Sequence, residues 1–135
     1  MPYQFENDKN IREEIICEKI KKLALKTGCV VAATGEKDII SDGRRGIYVE
    51  NGHRMMSDIT GTGCMTTSLT AVFCSVSNDL LLGTAAGILY MGLAGEKAFN
   101  EAGNRGSGSF RTALIDQIYN TSIKNIEENA KIFER

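Results

Sequence analysis

The residues best suited to chemistry lie in segment 58–69, DITGTGCMTTSL, where two glycines flank Thr62 and a cysteine follows at position 64. Glycines just before a helix let the backbone curl so that several N–H groups point at one spot. Those N–H groups have no partner within the helix, and the helix dipole adds partial positive charge. We therefore expect residues 61–64 to form an anion pocket that holds a phosphate. A tight turn that binds nothing is the alternative.

Cys64 sharpens this interpretation, because a thiolate at a helix N-terminus is stabilised by the same N–H groups and the same dipole. Such a group can accept a proton or act as a nucleophile. The alternative is a small buried hydrophobe, which is how most free cysteines behave. We assign that second role to the other three cysteines, Cys17, Cys29 and Cys74.

Other polar residues near turns carry weaker signals. Thr34, Gly35 and Glu36 place a hydroxyl and a carboxylate at the end of a strand, where open α/β sheets bind ligands, although an ordinary polar turn fits equally well. His53 is interpreted as exposed and incidental, and Arg44 and Arg45 as solvated. The glycine-rich loop 105–110 (RGSGSF) is either a plain connection between helices, which we prefer, or a cover for a ligand.

A first amphipathic helix is predicted ahead of these motifs. Asn7, Asp8 and Asn10 offer N-caps for it, and Gly28 ends it. Its apolar residues recur with a helical period and are expected to form one face: Ile11, Ile15, Ile16, Ile20 and Leu23.

Strands are predicted between this helix and the glycine segment. Residues 29–34 (CVVAAT) are typical of a short, fully buried strand. Asp42–Gly43 and Asn51–Gly52 suit two-residue hairpins because they tolerate positive φ angles. We therefore expect a β-meander over residues 29–58.

Packed helices are predicted after the meander. The first covers residues 64–76, and the second runs from Leu80, after an Asp79 cap, to about residue 101. The last is expected to be capped by Ser109 and to bury Phe110, Leu114, Ile115 and Ile118. Close packing is expected at the glycines that recur in the second of these helices: Gly83, Gly87, Gly92 and Gly95. A sheet followed by packed helices predicts an α/β domain.

Composition excludes several functional classes. The chain has 135 residues and a net charge of −1, which argues against nucleic acid or an anionic membrane as a partner. The most apolar window, residues 80–95, is shorter than the roughly 20 residues of a membrane span, so a buried helix is expected. A zinc site is not expected, because no cysteine pair has CxxC spacing and His53 is the only histidine. Without a secretory signal, we expect reduced thiols and a cytoplasmic protein.

Two well-known phosphate-binding frameworks are also excluded by the sequence. It contains no GxxxxGK[ST], so the chain is not a P-loop ATPase. It contains no complete GxGxxG, so a dinucleotide-binding Rossmann fingerprint is not supported.

The order of three segments resembles the hydroxyethylthiazole kinases of the ribokinase-like superfamily: VVAATGEKDIISDG, DITGTGCMTTSL and AGEKAFNEAGNRGSGSF. The resemblance implies that Thr34 contacts ATP and that Gly61 contacts the thiazole substrate. It also implies that Thr62, Gly63 and Cys64 form the anion hole facing the γ-phosphoryl group. Most ribokinase-like enzymes carry aspartate at the last position as the catalytic base, whereas the thiazole kinases carry cysteine, as this chain does.

The resemblance further implies an ATP- and Mg²⁺-dependent phosphorylation of 4-methyl-5-(2-hydroxyethyl)thiazole in thiamine salvage. Members of the family are homotrimeric and roughly twice as long as this chain. We therefore expect residues 1–135 to be the C-terminal part of one ribokinase-like kinase domain, as a fragment, a split gene product or a truncated frame. On its own the chain is expected to bind nucleotide weakly and to catalyse nothing.

Two alternatives remain open from the sequence. One is a ribokinase-like enzyme that acts on another small alcohol or on a hydrated nicotinamide nucleotide, against which the cysteine at position 64 counts. The other is a non-catalytic module that binds nucleotide or serves assembly.

Overall fold

The computed structural model describes residues 2–134, with side chains described from residue 10 onward. Five α-helices, four β-strands and two short 3₁₀ helices follow one another along these residues. In chain order they are α1 (Pro2–Thr27), β1 (Val31–Ala33), β2 (Asp38–Ser41), β3 (Gly46–Val49), a 3₁₀ helix (Arg54–Asp58), α2 (Thr62–Ser75), α3 (Leu80–Ala102), a 3₁₀ helix (Gly103–Arg105), α4 (Ser107–Asn120), α5 (Ile123–Asn129) and β4 (Ile132–Glu134).

The four strands form one antiparallel sheet in the order β1-β2-β3-β4. Val31 is opposite Ser41 in the first pair, and Ile39 is opposite Tyr48 in the second. Because both neighbours of β2 run antiparallel to it, β1 and β3 run in the same direction. The residues that follow Ala33 and Val49 therefore leave the sheet at the same edge.

Successive side chains along each strand point to opposite faces of the sheet and therefore pack into two separate cores. Ile39 and Tyr48 pack with Cys17 and Ile20 of α1 on one face of the sheet. Residues on the other face pack against α3 and include Ile40, Ile47, Val49, Leu81, Ala85 and Ile88. The sheet is therefore a middle layer, and the expected α/β architecture of a short meander followed by packed helices is confirmed.

Helix α3 is the central element of the helical layer. Fourteen of its residues, among them Leu93 and Ala94, are buried, in agreement with the buried helix expected over residues 80–95. The Asp79 carboxylate caps it as predicted, accepting hydrogen bonds from the amides of Leu81 and Leu82. No helix within residues 2–134 is long and apolar enough to cross a lipid bilayer.

Gly83 and Gly87 of α3 lie at a close helix contact, as expected, whereas Gly92 and Gly95 face the Asn51 backbone and the Met56 side chain. A Cβ at Gly83 would lie 3.0 Å from the Cα of Cys74, and one at Gly87 would lie 2.5 Å from the Cα of Thr70. Both contacts are with α2, so these glycines let the two helix backbones approach closely.

Three expectations for the strands are wrong. Residues 54–58 form a 3₁₀ helix, which His53 caps by accepting a hydrogen bond from the Met55 amide at Nδ1. The β2–β3 connection spans residues 42–45, because Ser41 is opposite Gly46 and the Asp42 carboxylate accepts from two loop amides. Strand β1 is not fully buried, because it lies at an edge of the sheet and Ala32 is exposed.

Helix starts also differ from the sequence-based expectation. Helix α1 begins at Pro2, upstream of the expected caps at residues 7–10, since a proline at the first helical position has no N–H to leave unpaired. Helix α4 is capped by Gly106, at φ +107°, and not by Ser109, which lies inside the helix.

The predicted apolar faces of two helices are only partly buried. Ile20 is buried together with Cys17 and Ala24, which form the inner face of α1. The other apolar residues expected on that face are 41–53% exposed: Ile11, Ile15, Ile16 and Leu23. On α4, Phe110 and Leu114 are buried as expected, whereas Ile115 is 53% exposed.

Candidate active site

The glycine segment forms the first turn of α2. Gly61 is the N-cap residue in the left-handed region, at φ +103°, and a Cβ there would meet no atom within 4 Å. Thr62, Gly63 and Cys64 are the first three helical residues. Helical pairing starts with the Met65 amide, which donates to the Gly61 carbonyl at 3.0 Å.

The amides that precede Met65 are available for a ligand. No side chain of residues 10–134 caps this helix, so Thr62, Gly63 and Cys64 present first-turn N–H groups without a side-chain acceptor. Gly63 and Cys64 are exposed. Free amides at the positive end of the helix dipole make this turn competent to bind an anion.

Cys64 is exposed at this turn. Of the other three cysteines, Cys17 is buried, as expected for a small hydrophobe. Cys29 is exposed and Cys74 is half-buried, so the same expectation is wrong for Cys29, which lies in the connection between α1 and β1.

An apolar groove of about 400 Å³ begins at Cys64 and runs between α2 and α4. Its lining is Cys64, Met65, Ser68, Leu69, Val72, Ile115 and Ile118. The Cys64 thiol therefore lies between a turn whose amides suit an anion and a groove whose apolar side chains suit an uncharged group.

Thr34 is exposed and follows the end of β1. It leaves the sheet at the same edge as the segment that leads from β3 to α2. Within residues 10–134 no hydrogen bond joins it to the 61–64 turn. The next residues form a tight turn in which the Gly35 amide donates to the Asp38 carboxylate at 2.9 Å. Burial raises the pKa of Asp38, and this hydrogen bond opposes that shift.

A polar network that sequence reasoning missed fixes the chain between β3 and α2. Asn51 is only 5% exposed, and its amide donates to Glu96 Oε1 at 3.2 Å and to the Asn129 carbonyl at 3.0 Å. The side-chain carbonyl oxygen of Asn51 accepts from the main-chain amide of Lys131 at 2.6 Å. Glu96 also accepts from the Gly52 amide at 3.1 Å. The hairpin predicted at Asn51–Gly52 is wrong, because a 3₁₀ helix and not a strand follows it. The partners of Asn51 and Gly52 lie 44–80 residues away along the chain.

Two side chains interpreted as incidental or solvated have defined partners. The His53 ring stacks on Phe99 of α3, with ring centroids 3.6 Å apart and planes 16° apart. Arg45 is exposed but pairs with Asp42 and, through two bonds, with Asp79. Hydrogen bonds from the Arg45 and Arg44 amides and the Arg45 side chain lower the pKa of Asp42 to about 2.

Metal-binding side chains do not cluster in the described part of the chain. Among residues 10–134, no three histidine, cysteine, aspartate or glutamate side chains lie close enough together to hold a metal ion. The site therefore combines a helix turn with free amides, an exposed cysteine and an apolar groove.

A model of the hydroxyethylthiazole kinase family matches residues 7–124 of this chain. A protein named hydroxyethylthiazole kinase from Clostridium beijerinckii is 46% identical over 129 residues, covering 96% of this chain and 47% of that relative. The protein of the same name from Ruminiclostridium cellulolyticum is 46% identical over 114 residues, covering 84% of this chain and 42% of that relative.

A solved structure has the same fold. The structure of the hydroxyethylthiazole kinase protein from Pyrococcus horikoshii OT3 superposes with a TM-score of 0.87 at 36% identity, covering 95% of this chain and 49% of that one. The chain thus spans about half the length of the relatives that it matches. The match over nearly all of its residues shows that this chain belongs to the hydroxyethylthiazole kinase family.

Proposed function

We propose that this chain carries the phosphate-handling part of a kinase that transfers the γ-phosphoryl group of ATP to 4-methyl-5-(2-hydroxyethyl)thiazole, a step of thiamine salvage. The observation that carries the proposal is the first turn of α2, whose free amides lie beside the exposed Cys64 thiol. The names of the relatives supply the reaction and the substrate.

The proposed roles follow from the chemistry of phosphoryl transfer, in which most catalysis is positioning and electrostatic stabilisation. The amides of Thr62, Gly63 and Cys64 would hold the transferred phosphoryl group. The Cys64 sulfur would accept the proton or a hydrogen bond from the attacking primary alcohol. Gly61 would contact the thiazole. Thr34, which leaves the sheet at the same edge as the segment that leads to α2, would contact ATP.

The apolar groove supports a ring-bearing ligand next to this turn. An uncharged ring against Leu69, Val72 and Ile115 would bury apolar surface, while the charged end of a ligand would reach the amides of the first turn. A groove of about 400 Å³ is within the usual range for small-molecule sites.

Mg²⁺ is proposed as the ion that accompanies ATP. The described residues of this chain do not form a group that would hold it, so we assign it no ligands here and derive no step through it. We propose that residues 1–135 are the C-terminal part of a single ribokinase-like kinase domain, that the complete enzyme is a homotrimer and that it acts in the cytoplasm.

A second candidate function is a non-catalytic nucleotide-binding or assembly module. The observation in its favour is that the chain spans about half the length of its relatives. A kinase for another small alcohol is the remaining alternative, and the thiol at position 64, where the resemblance implies aspartate for such enzymes, disfavours it.

A phosphoryl-transfer assay tests these proposals. The chain is incubated with Mg²⁺, ATP labelled at the γ-phosphate and hydroxyethylthiazole. The assay is run with the chain alone and with the segment of the Clostridium beijerinckii relative that lies outside the match. Labelled thiazole phosphate in the combined sample supports the kinase. Nucleotide binding without transfer in either sample supports the non-catalytic module. Transfer to other alcohols but not to the thiazole supports a kinase for another small alcohol.

A further inference from the structure

We propose that Thr62 is a positioning residue, whose hydroxyl fixes the orientation of the first turn of α2 by binding the 3₁₀ helix Arg54–Asp58. This inference rests on the proposed function of that turn as the phosphoryl site. It assigns the Thr62 hydroxyl a separate task from that of the Thr62 amide.

The Thr62 hydroxyl donates to the Met56 carbonyl at 2.9 Å. The next hydroxyls of the same helix behave differently, because each donates to a carbonyl one turn earlier in α2 itself. Thr66 donates to Thr62, Thr67 to Gly63 and Ser68 to Cys64, at 2.8–3.0 Å. Among these four hydroxyls, that of Thr62 alone joins α2 to another element.

The carbonyl that accepts this bond belongs to an element that is itself anchored to α3. The His53 ring stacks on Phe99, and its Nδ1 accepts from the Met55 amide at 3.1 Å, so the start of the 3₁₀ helix is fixed. The Met56 side chain lies where a Cβ on Gly95 would be, so the middle of the 3₁₀ helix also rests on α3. A continuous path therefore runs from α3 through the 3₁₀ helix to Thr62.

The bond also engages the one proton that the Thr62 hydroxyl could donate to a ligand. A threonine hydroxyl has one proton to donate, and here it is given to the Met56 carbonyl. A phosphate oxygen at this turn would therefore receive its hydrogen bonds from amides. Because the Gly61 N-cap has no side chain, the Thr62 hydroxyl is the side-chain bond that holds the direction of these amides.

Thr62→Val removes the hydroxyl and keeps the branched shape, whereas Thr62→Ser keeps the hydroxyl. Thr67→Val is the matched control, since it removes an exposed hydroxyl bonded within the same helix. Two readouts are measured on the 135-residue chain: amide hydrogen exchange without nucleotide at Met65, whose amide is the first paired one of α2, and ATP affinity by calorimetry. Phe99→Leu serves as a second variant that weakens the anchor while leaving Thr62 intact.

We expect Thr62→Val to speed exchange of the paired Met65 amide at least tenfold and to weaken ATP binding at least tenfold. Thr62→Ser and Thr67→Val should resemble the parent, and Phe99→Leu should speed exchange at the same amide by a smaller factor. Parent-like exchange in both Thr62→Val and Phe99→Leu, or equal impairment of Thr62→Ser and Thr62→Val, would overturn the positioning role. If exchange responds as expected but the parent binds no ATP, the positioning role stands and the proposed function is lost.

Discussion

Gly87 of α3 lies so close to Thr70 of α2 that a Cβ on the glycine would be 2.5 Å from the Thr70 Cα and 2.8 Å from its backbone nitrogen. No side-chain rotation relieves contacts with backbone atoms, so one helix must move if a side chain is added. Because α2 carries the candidate site at its N-terminus, this crossing links helix packing to the position of that turn.

Gly87→Ala is therefore expected to lower the free energy of unfolding by about 1–3 kcal/mol, because overpacking outweighs the better helix propensity of alanine. Urea unfolding followed by circular dichroism measures the change. Gly108→Ala is the matched control, since a Cβ at Gly108 of α4 meets no atom within 4 Å, and this variant should be neutral or slightly more stable. Equal stability of Gly87→Ala and the parent would show that the two helices are not in close contact.

Removing the side chain of Asn51 should destabilise the chain without touching the candidate site directly. Asn51→Ala leaves the Lys131 amide without its acceptor and Glu96 with one donor fewer, which we expect to cost about 1–3 kcal/mol in unfolding free energy. Asn78→Ala, in the exposed loop before α3, is the control and should lie within about 0.5 kcal/mol of the parent. A loss no greater than that of the control would refute the structural role of Asn51.

The ion pairs of Arg45 predict a pH-dependent contribution to stability. The Arg45 side chain lowers the pKa of Asp79. It also adds to the backbone hydrogen bonds, led by that of the Arg45 amide, which hold the pKa of Asp42 at about 2, below its ordinary 3.8. A lowered carboxyl pKa in the folded state gives stability that is complete above about pH 4 and is lost as the pH falls toward 2. Arg45→Met should thus unfold at lower urea than the parent at pH 7, and the difference should shrink as the carboxylates are protonated.

Arg44→Met is the control for that series, since Arg44 holds Asp42 through its backbone amide, which the substitution keeps. Asp38 has a raised pKa and contributes with the opposite sign, but it is present in every variant and cancels in the comparison. A difference between Arg45→Met and the parent that stays constant from pH 7 to pH 2 would contradict the assignment.

Cys64→Ala tests the thiol as proton acceptor. In the phosphoryl-transfer assay with both segments we expect kcat to fall about 10²-fold, the lower end for loss of a general base. Most of the rate enhancement is assigned to the amides, which the substitution keeps. ATP affinity should stay near that of the parent, since the main-chain amide at position 64 is kept. Cys29→Ala removes another exposed thiol and should leave the rate unchanged. Parent-like kcat in Cys64→Ala would remove the sulfur from the mechanism.

Local patterns predicted the elements whose cause is local. Gly61 and Gly63 marked the start of α2, Asp79 marked the cap of α3, and Gly83 and Gly87 marked a close helix contact. The free amides of the candidate site were visible for the same reason, because glycine spacing before a helix is a short-range signal.

Elements fixed by distant partners were not predictable in this way. The sequence of residues 54–58 predicts a strand. The contacts that hold this segment as a 3₁₀ helix come from Phe99, which stacks on His53, and from the Thr62 hydroxyl. Strand β4 carries no buried residue and is defined by pairing with β3, more than 80 residues earlier in the chain. Sequence periodicity does not report such pairings.

The proposed kinase depends on the amides of Thr62, Gly63 and Cys64 receiving the terminal phosphate of a nucleotide. Titration of the ¹⁵N-labelled chain with ATP, and in parallel with AMP, measures this amide by amide. The resonances of residues 61–64 should move most with ATP and should hardly move with AMP, which lacks the terminal phosphates. Unchanged resonances at 61–64 with ATP, or equal shifts with both nucleotides, would contradict the proposal.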